Sequence, residues 1–178
     1  MKRSFFLLTM LLLLSCKRES KFDLEKDLYQ FSRKMENGDS LEVRVNHSAC
    51  IFVAFENYTF IKENDTLYVE TLSEISSFKK QQQSLSKIPY SINPKDSLSF
   101  DFFFKYMERE NKSARKNYPP IVTVYYRNKS QTKYFNDEGL KDKFEKLDKL
   151  LSVRAKLYPN DHFFEFPEPT PPPRLLEK

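Results

Sequence analysis

Two stretches with helical apolar spacing enclose a longer region in which the spacing changes to two, and no other feature of the chain narrows its fold as much. Over residues 21–36, Leu24, Leu28, Phe31 and Met35 recur at intervals of four, three and four, on one face of a helix. Ser20 stands at its N-cap position and Asn37-Gly38 at its C-terminal stop. A second helix is expected over 137–157. Asn136 caps it, Asp137 and Glu138 suit the positive end of its dipole, and Pro159 ends it. Its inner stripe is Leu140, Phe144, Leu147 and Leu151, with Glu145 and Lys149 as an outer i,i+4 pair.

Between the helices, Leu41, Val43 and Val45 alternate with Glu42, Arg44 and Asn46 as a half-buried strand. A second strand runs over 49–55 and continues over 57–62, the turn Glu63-Asn64-Asp65 follows, and a third strand covers 66–72. Residues 73–95, with Lys79-Lys80-Gln81-Gln82-Gln83, Pro89 and Pro94, read as a surface connection. Residues 98–106 read as the clearest strand: Leu98, Phe100, Phe102, Phe104 and Tyr106 share one face, with Phe103 and Tyr106 the aromatic residues expected to be exposed if the sheet is open. After a polar stretch, 108–117, a hairpin of 121–126 and 132–135 turns around Asn128-Lys129-Ser130. These connections are too short for repeated βαβ crossovers. The expectation is an α+β domain, an antiparallel sheet of about six strands packed by the two helices on one face. It covers 21–158, and an extended Pro-rich tail, 159–178, follows; its Pro169-Thr170-Pro171-Pro172 reads as a spacer.

Ahead of the domain, two cations precede an apolar run, Phe5 to Leu14, broken only by Thr9 and followed by Ser15-Cys16. Ten residues are about half of what a helix needs to cross a bilayer, so the run describes a signal peptide rather than a span. Leu13-Leu14-Ser15-Cys16 resembles the lipobox of bacterial lipoproteins. The resemblance implies removal of residues 1–15, diacylglycerol on the Cys16 thiol, and a short tether, 16–20, holding the domain to the membrane. Lys17 follows Cys16, where the inner-membrane members of that family commonly carry Asp, so the resemblance implies the periplasmic side of the outer membrane, with the cell surface as the other orientation.

Removal of Lys2 and Arg3 from a chain of 30 cations and 25 anions leaves a formal +3. That small excess, in that compartment, disfavours nucleic acid as a partner. With Cys16 acylated, Cys50 is the one remaining thiol and no intrachain disulfide forms, so stability must come from the core.

The search for chemistry returns weak constellations. With two glycines, Gly38 and Gly139, the chain has no Gly-rich phosphate loop and no Gly-x-Ser-x-Gly elbow. His47 and Cys50, three apart in a strand, fall on opposite faces, which suits a turn role for His47 and packing for Cys50. His162 and Glu165 have no neighbouring His or Cys to complete a metal site. Carboxylates are abundant and read as solvated charge; no cofactor is implied. Asp39-Ser40-Leu41, Asp65-Thr66-Leu67 and Asp96-Ser97-Leu98 each open a predicted strand, where Asp bonds the turn backbone and Leu begins the buried face. They also resemble the Asp-(Ser/Thr)-aliphatic acceptor of a periplasmic O-glycosylation system, which implies glycans on Ser40, Thr66 and Ser97.

The expected role is a non-enzymatic, lipid-anchored binding or structural domain whose partner is an envelope protein or glycan. An immunity or inhibitor lipoprotein directed at a toxin or lytic enzyme is one alternative. A carboxylate-dependent hydrolase is the other.

Overall fold

A computed structural model describes residues 21–49, 53–76, 80–110 and 119–163. Cys16, Cys50, Glu165 and the Pro-rich tail beyond Phe163 lie outside the described residues. The fold is α+β: six antiparallel strands, β1 Ser40–Asn46, β2 Ala54–Glu63, β3 Thr66–Ile75, β4 Gln81–Pro89, β5 Val122–Tyr126 and β6 Gln131–Phe135, in the order β4-β3-β2-β1-β5-β6. The helices are α1 Leu24–Asp27 and α2 Phe31–Lys34, joined by the 3₁₀ turn Leu28–Gln30, then α3 Phe100–Glu110 and α4 Leu140–Leu157. Among the described residues, no helix is long and apolar enough to cross a membrane.

The first helical run is shorter than 21–36 and is capped by Asp23, whose side chain accepts from the Glu25 N–H. Its stripe is as expected: Leu24, Leu28, Phe31 and Met35 are all buried. Asn64 and Asp65 both adopt left-handed backbone, which a two-residue hairpin between β2 and β3 requires. Asn37 clasps that turn, its Nδ2 donating to Asp65 Oδ1 at 3.1 Å and its Oδ1 accepting from the Asp65 N–H at 2.7 Å.

Two expected elements are exchanged. Residues 98–106 are not a strand but the start of α3, and 81–89, inside the expected connection, are the edge strand β4. Phenylalanines at 100, 102, 103 and 104 satisfy either period, so the local cap decides. Ser99 Oγ accepts the Phe102 N–H at 3.1 Å and Ser99 C=O accepts the Phe103 N–H at 2.9 Å, the start of a helix. Phe100, Phe103, Phe104 and Met107 then face inward, while Phe102 turns out. Strand β4 has one neighbour and little to bury, so its Gln-rich sequence carries no clear alternation.

Helix α4 begins at Leu140, after Gly139 in a backbone conformation that favours glycine, and not at 137. Asn136 does not cap it; its carbonyl accepts from Lys146 Nζ at 3.1 Å. The inner stripe is also rotated. Leu147, Leu150, Val153 and Leu157 are buried with Lys146 and Arg154, whereas Leu140 and Phe144 are exposed.

The core lies between one sheet face and the helices. Leu41, Val43 and Val45 of β1, Tyr58 and Phe60 of β2 and Val122 and Val124 of β5 point inward. Edge-to-face rings join the layers, with Phe31 on Phe60 at 4.8 Å, Phe60 on Phe100 at 5.1 Å and Tyr58 on Phe100 at 4.7 Å.

Candidate functional site

Strand β2 sends Ala54, Glu56, Tyr58 and Phe60 to the buried face, so a carboxylate stands where the period demands an apolar group. Glu56 is fully buried and accepts from Tyr58 Oη at 2.6 Å, Ser73 Oγ at 3.1 Å and Arg154 Nε at 2.5 Å, and it lies 3.3 Å from His47 Nε2. Ser73 faces it directly across the β2–β3 register. Arg154 reaches down from the last turn of α4 and also pairs with Asp161, just past the helix. Nearby, Thr71 Oγ1 and Tyr158 Oη lie 3.0 Å apart. Burial alone would raise the Glu56 pKa, but His47, Arg154 and Tyr58 outweigh it and hold the carboxyl below its ordinary range. Burial, then the Glu56 charge, pushes the Tyr58 phenol well up. The cluster therefore favours a fixed ionised carboxylate, which suits a clamp joining β2, β3 and α4 better than proton transfer near neutral pH.

His47 thus occupies more than a turn: its ring is buried on the cluster at the end of β1. Not all the acids are solvated charge either, since Asp39, Glu56 and Asp101 are buried. Strict alternation along β2 would have placed Glu56 inside. Nothing in the local sequence points to Arg154 as its partner 98 residues on.

Asp101 is a second buried acid, in the first turn of α3. Its Oδ1 accepts from Ser32 N–H at 3.2 Å and Ser32 Oγ at 2.9 Å, which ties α3 to α2, while its Oδ2 has no hydrogen-bond partner among the described residues. Burial, opposed by the Ser32 bonds, raises its pKa from 3.8 to about 6.

Helix α3 runs antiparallel to α4, with Tyr106 Oη on Glu145 at 3.4 Å and Lys149 Nζ 4.7 Å from the centre of the Tyr106 ring. A groove of about 290 Å³ lies between them, lined by residues that include Leu98, Phe102, Tyr106, Lys149 and Ser97. Lys156 pairs with Asp96 beside it. Among the described residues, Asp148 is the single carboxylate in its lining, whereas a glycosidase arrangement needs two. Of the two aromatic residues expected on an exposed face, Phe103 is buried and Tyr106 half-buried, because both belong to a helix; Phe102 is exposed instead.

On the other face of the sheet Arg44 and Tyr134 are exposed, Glu42, Ile61, Tyr68 and Tyr125 half-buried and Thr123 buried. Register places Tyr125 opposite Glu42, Thr123 between Arg44 and Tyr134, and Ile61 opposite Tyr68, all on the side away from Phe60 and Val43. The helix contacts described above all fall on the inner face. Arg44 lies over the Phe55 ring at 4.6 Å and Lys87 over Tyr68 at 4.7 Å, so this face alternates aromatic rings with charge.

The three Asp-(Ser/Thr)-Leu triplets do not form one site. Asp39 is buried, accepting from Tyr126 Oη at 2.8 Å, Asn128 Nδ2 at 2.8 Å and the Glu36 N–H at 2.7 Å, and it leaves Ser40 half-buried at the start of β1. Thr66 is exposed at the start of β3. Ser97 is exposed in the turn before α3, so the third triplet opens a helix rather than a strand. Among the described residues, no group of three or more His, Cys, Asp and Glu side chains could hold a metal ion.

Comparison with protein-family models, curated proteins and solved structures gives no match to this chain.

Replacing Arg154 with Met removes a donor from a buried carboxylate and should cost about 3 to 5 kcal/mol in urea unfolding; a loss below 1 kcal/mol would show that the cluster does not clamp α4. Asp101 makes a separate pH prediction. Between pH 3.8 and about 6 the unfolded chain has released this proton and the folded chain still holds it, so the Asp101 contribution to stability falls as pH rises through that window. Asp101→Asn should therefore gain about 2 to 3 kcal/mol relative to the parent between pH 4 and pH 7. A constant difference across that range would contradict it.

Proposed function

We propose that this chain is a lipid-anchored domain of the bacterial envelope, held at the outer membrane on its periplasmic side by Cys16, and that it binds an envelope protein through the open face of its sheet. The supporting observation is the one-sided sheet. Six strands of five to ten residues, spaced about 4.8 Å apart, give that face roughly 25 Å in each direction. This approaches the about 800 Å² that each partner contributes to a standard protein–protein interface. Phe55, Tyr68, Tyr125 and Tyr134 supply the aromatic side chains such interfaces favour. A partner that is a toxin or lytic enzyme would make the same surface that of an inhibitor.

Two experiments test this reading. Cys16→Ser should release the protein from membranes, and unchanged membrane association would refute the anchor. A photo-crosslinking residue in place of Tyr125 or Tyr68 should yield a discrete product in intact envelopes, with none from the exposed loop position Lys95; no product from either face position would refute the binding surface.

The acceptor reading belongs to the same compartment. Thr66 and Ser97 present exposed hydroxyls, whereas Ser40 is half-buried beside the bonded Asp39. Peptide masses from the native protein should carry hexose additions on the Thr66 and Ser97 peptides in preference to the Ser40 peptide. Unmodified peptides at all three would retire the reading.

A further inference from the structure

A lipid on Cys16 restricts which surface meets the bilayer. Phe22 is buried with its ring edge-on to Tyr126 at 4.9 Å, so the chain is fixed in the core from that residue. The five residue steps from Cys16 to Lys21 span at most about 18 Å. Nearest this entry point lies the α1–α2 run, with α3 packed beside it through Ser32–Asp101 and through Phe31 on Phe104 at 5.8 Å.

Both segments bury one side and present the other. On the run, opposite Leu24, Leu28 and Phe31, the exposed residues are Glu25, Lys26, Tyr29, Arg33 and Lys34, of which Lys26, Tyr29 and Arg33 follow at spacings of three and four. On α3, opposite Phe100, Phe104 and Met107, they are Phe102, Lys105 and Arg109, again at three and four, with Glu110 at the helix end. Tyr29 and Phe102 are each 41% exposed, large fractions for aromatic rings in a packed domain. At the exposed positions of the two segments five cations, Lys26, Arg33, Lys34, Lys105 and Arg109, stand against two acids, Glu25 and Glu110, a larger excess than in the chain as a whole. Aromatic rings set among Lys and Arg, close to a lipid attachment, match the composition of helices that lie in the headgroup region of anionic bilayers.

We propose that these two adjacent stripes form a membrane-contacting surface resting on anionic lipid headgroups, with the Tyr29 and Phe102 rings at headgroup depth. The proposal rests on the lipid-anchor reading and adds an orientation to it. The bilayer occupies the helical side of the domain and leaves the open sheet face toward the periplasm.

The chain contains no Trp, so an introduced one is a unique reporter. The full acylated protein would be placed on vesicles of phosphatidylglycerol and phosphatidylethanolamine with brominated acyl chains, carrying Tyr29→Trp, Phe102→Trp or, on the opposite face, Tyr68→Trp. Blue-shifted and quenched emission is expected for the first two and unshifted, unquenched emission for the third. Lys105→Glu with Arg109→Glu, both at exposed positions, should reduce quenching at position 102 while the protein stays vesicle-bound. Mass spectrometry of the Cys16 peptide from the same sample separates the two readings. If Cys16 is acylated and Trp is unquenched at both 29 and 102, the contact surface is wrong and the anchor stands. An unacylated Cys16 overturns both.

Discussion

A carboxylate withdrawn from water costs several kcal/mol unless donors surround it, and Glu56 meets that demand with groups from separated parts of the chain. His47 comes from the end of β1, Tyr58 from β2 itself, Ser73 from β3 and Arg154 from the last turn of α4. A one-residue slip of β3 against β2 would turn Ser73 to the solvent face and leave Glu56 short of a partner. Sliding α4 by one turn along its axis would remove Arg154 from Glu56. The polar cluster thus sets register and helix position where the apolar core alone would tolerate several arrangements.

The remainder of the inner face is aromatic, and its rings perform a different task. Phe31, Phe60, Phe100 and Tyr58 meet edge to face, joining α2, β2 and α3 in a directional contact. Asp101 reinforces the same junction through Ser32, but its burial opposes ionisation, so this joint is tightest when the carboxyl is protonated. The two buried acids consequently respond to pH in opposite senses. Glu56 has a lowered pKa and stabilises the fold in its charged form; Asp101 has a raised one and weakens the fold in its charged form.

The sequence was most legible where one face is buried and the other wet, because only then does period two survive. Leu41, Val43 and Val45 marked β1, and the runs around Tyr58, Val69 and Val124 marked β2, β3 and β5. Strand β4 escaped notice since an exposed edge imposes no alternation on Gln81-Gln82-Gln83. A run of four phenylalanines within five positions fits a strand or a helix equally, and the deciding residue was Ser99, a cap whose role shows only once the chain turns. On α4, Leu140 and Phe144 drew the inner stripe to the wrong phase, because Lys146 and Arg154 occupy buried positions with partners supplied by Asp142 and Glu56. The fold class was readable nonetheless, since it depends on connection lengths rather than on which runs pair. The candidate surfaces were less readable, because each is assembled from residues far apart in the chain.

A two-layer domain has two outer sides, and the short lipid tether proposed above would make them inequivalent. A helix is about 10 Å across and packs about 10 Å from a sheet, so the open sheet face stands roughly 20 Å from any surface the helices touch. With Cys16 acylated as proposed, a tether of at most about 18 Å between Cys16 and Lys21 would not let the domain turn freely through all orientations above a bilayer. Such a tether would keep the α1–α2 run close to the lipid, and weak contacts there would gain from that proximity without needing much affinity of their own. The +3 formal charge left by the proposed cleavage would not alone orient the domain; the excess of cations over acids at exposed positions of the α1–α2 run and α3, five to two, would supply the asymmetry. On the proposed anchor, that orientation would leave the aromatic sheet face to partners approaching from the aqueous side.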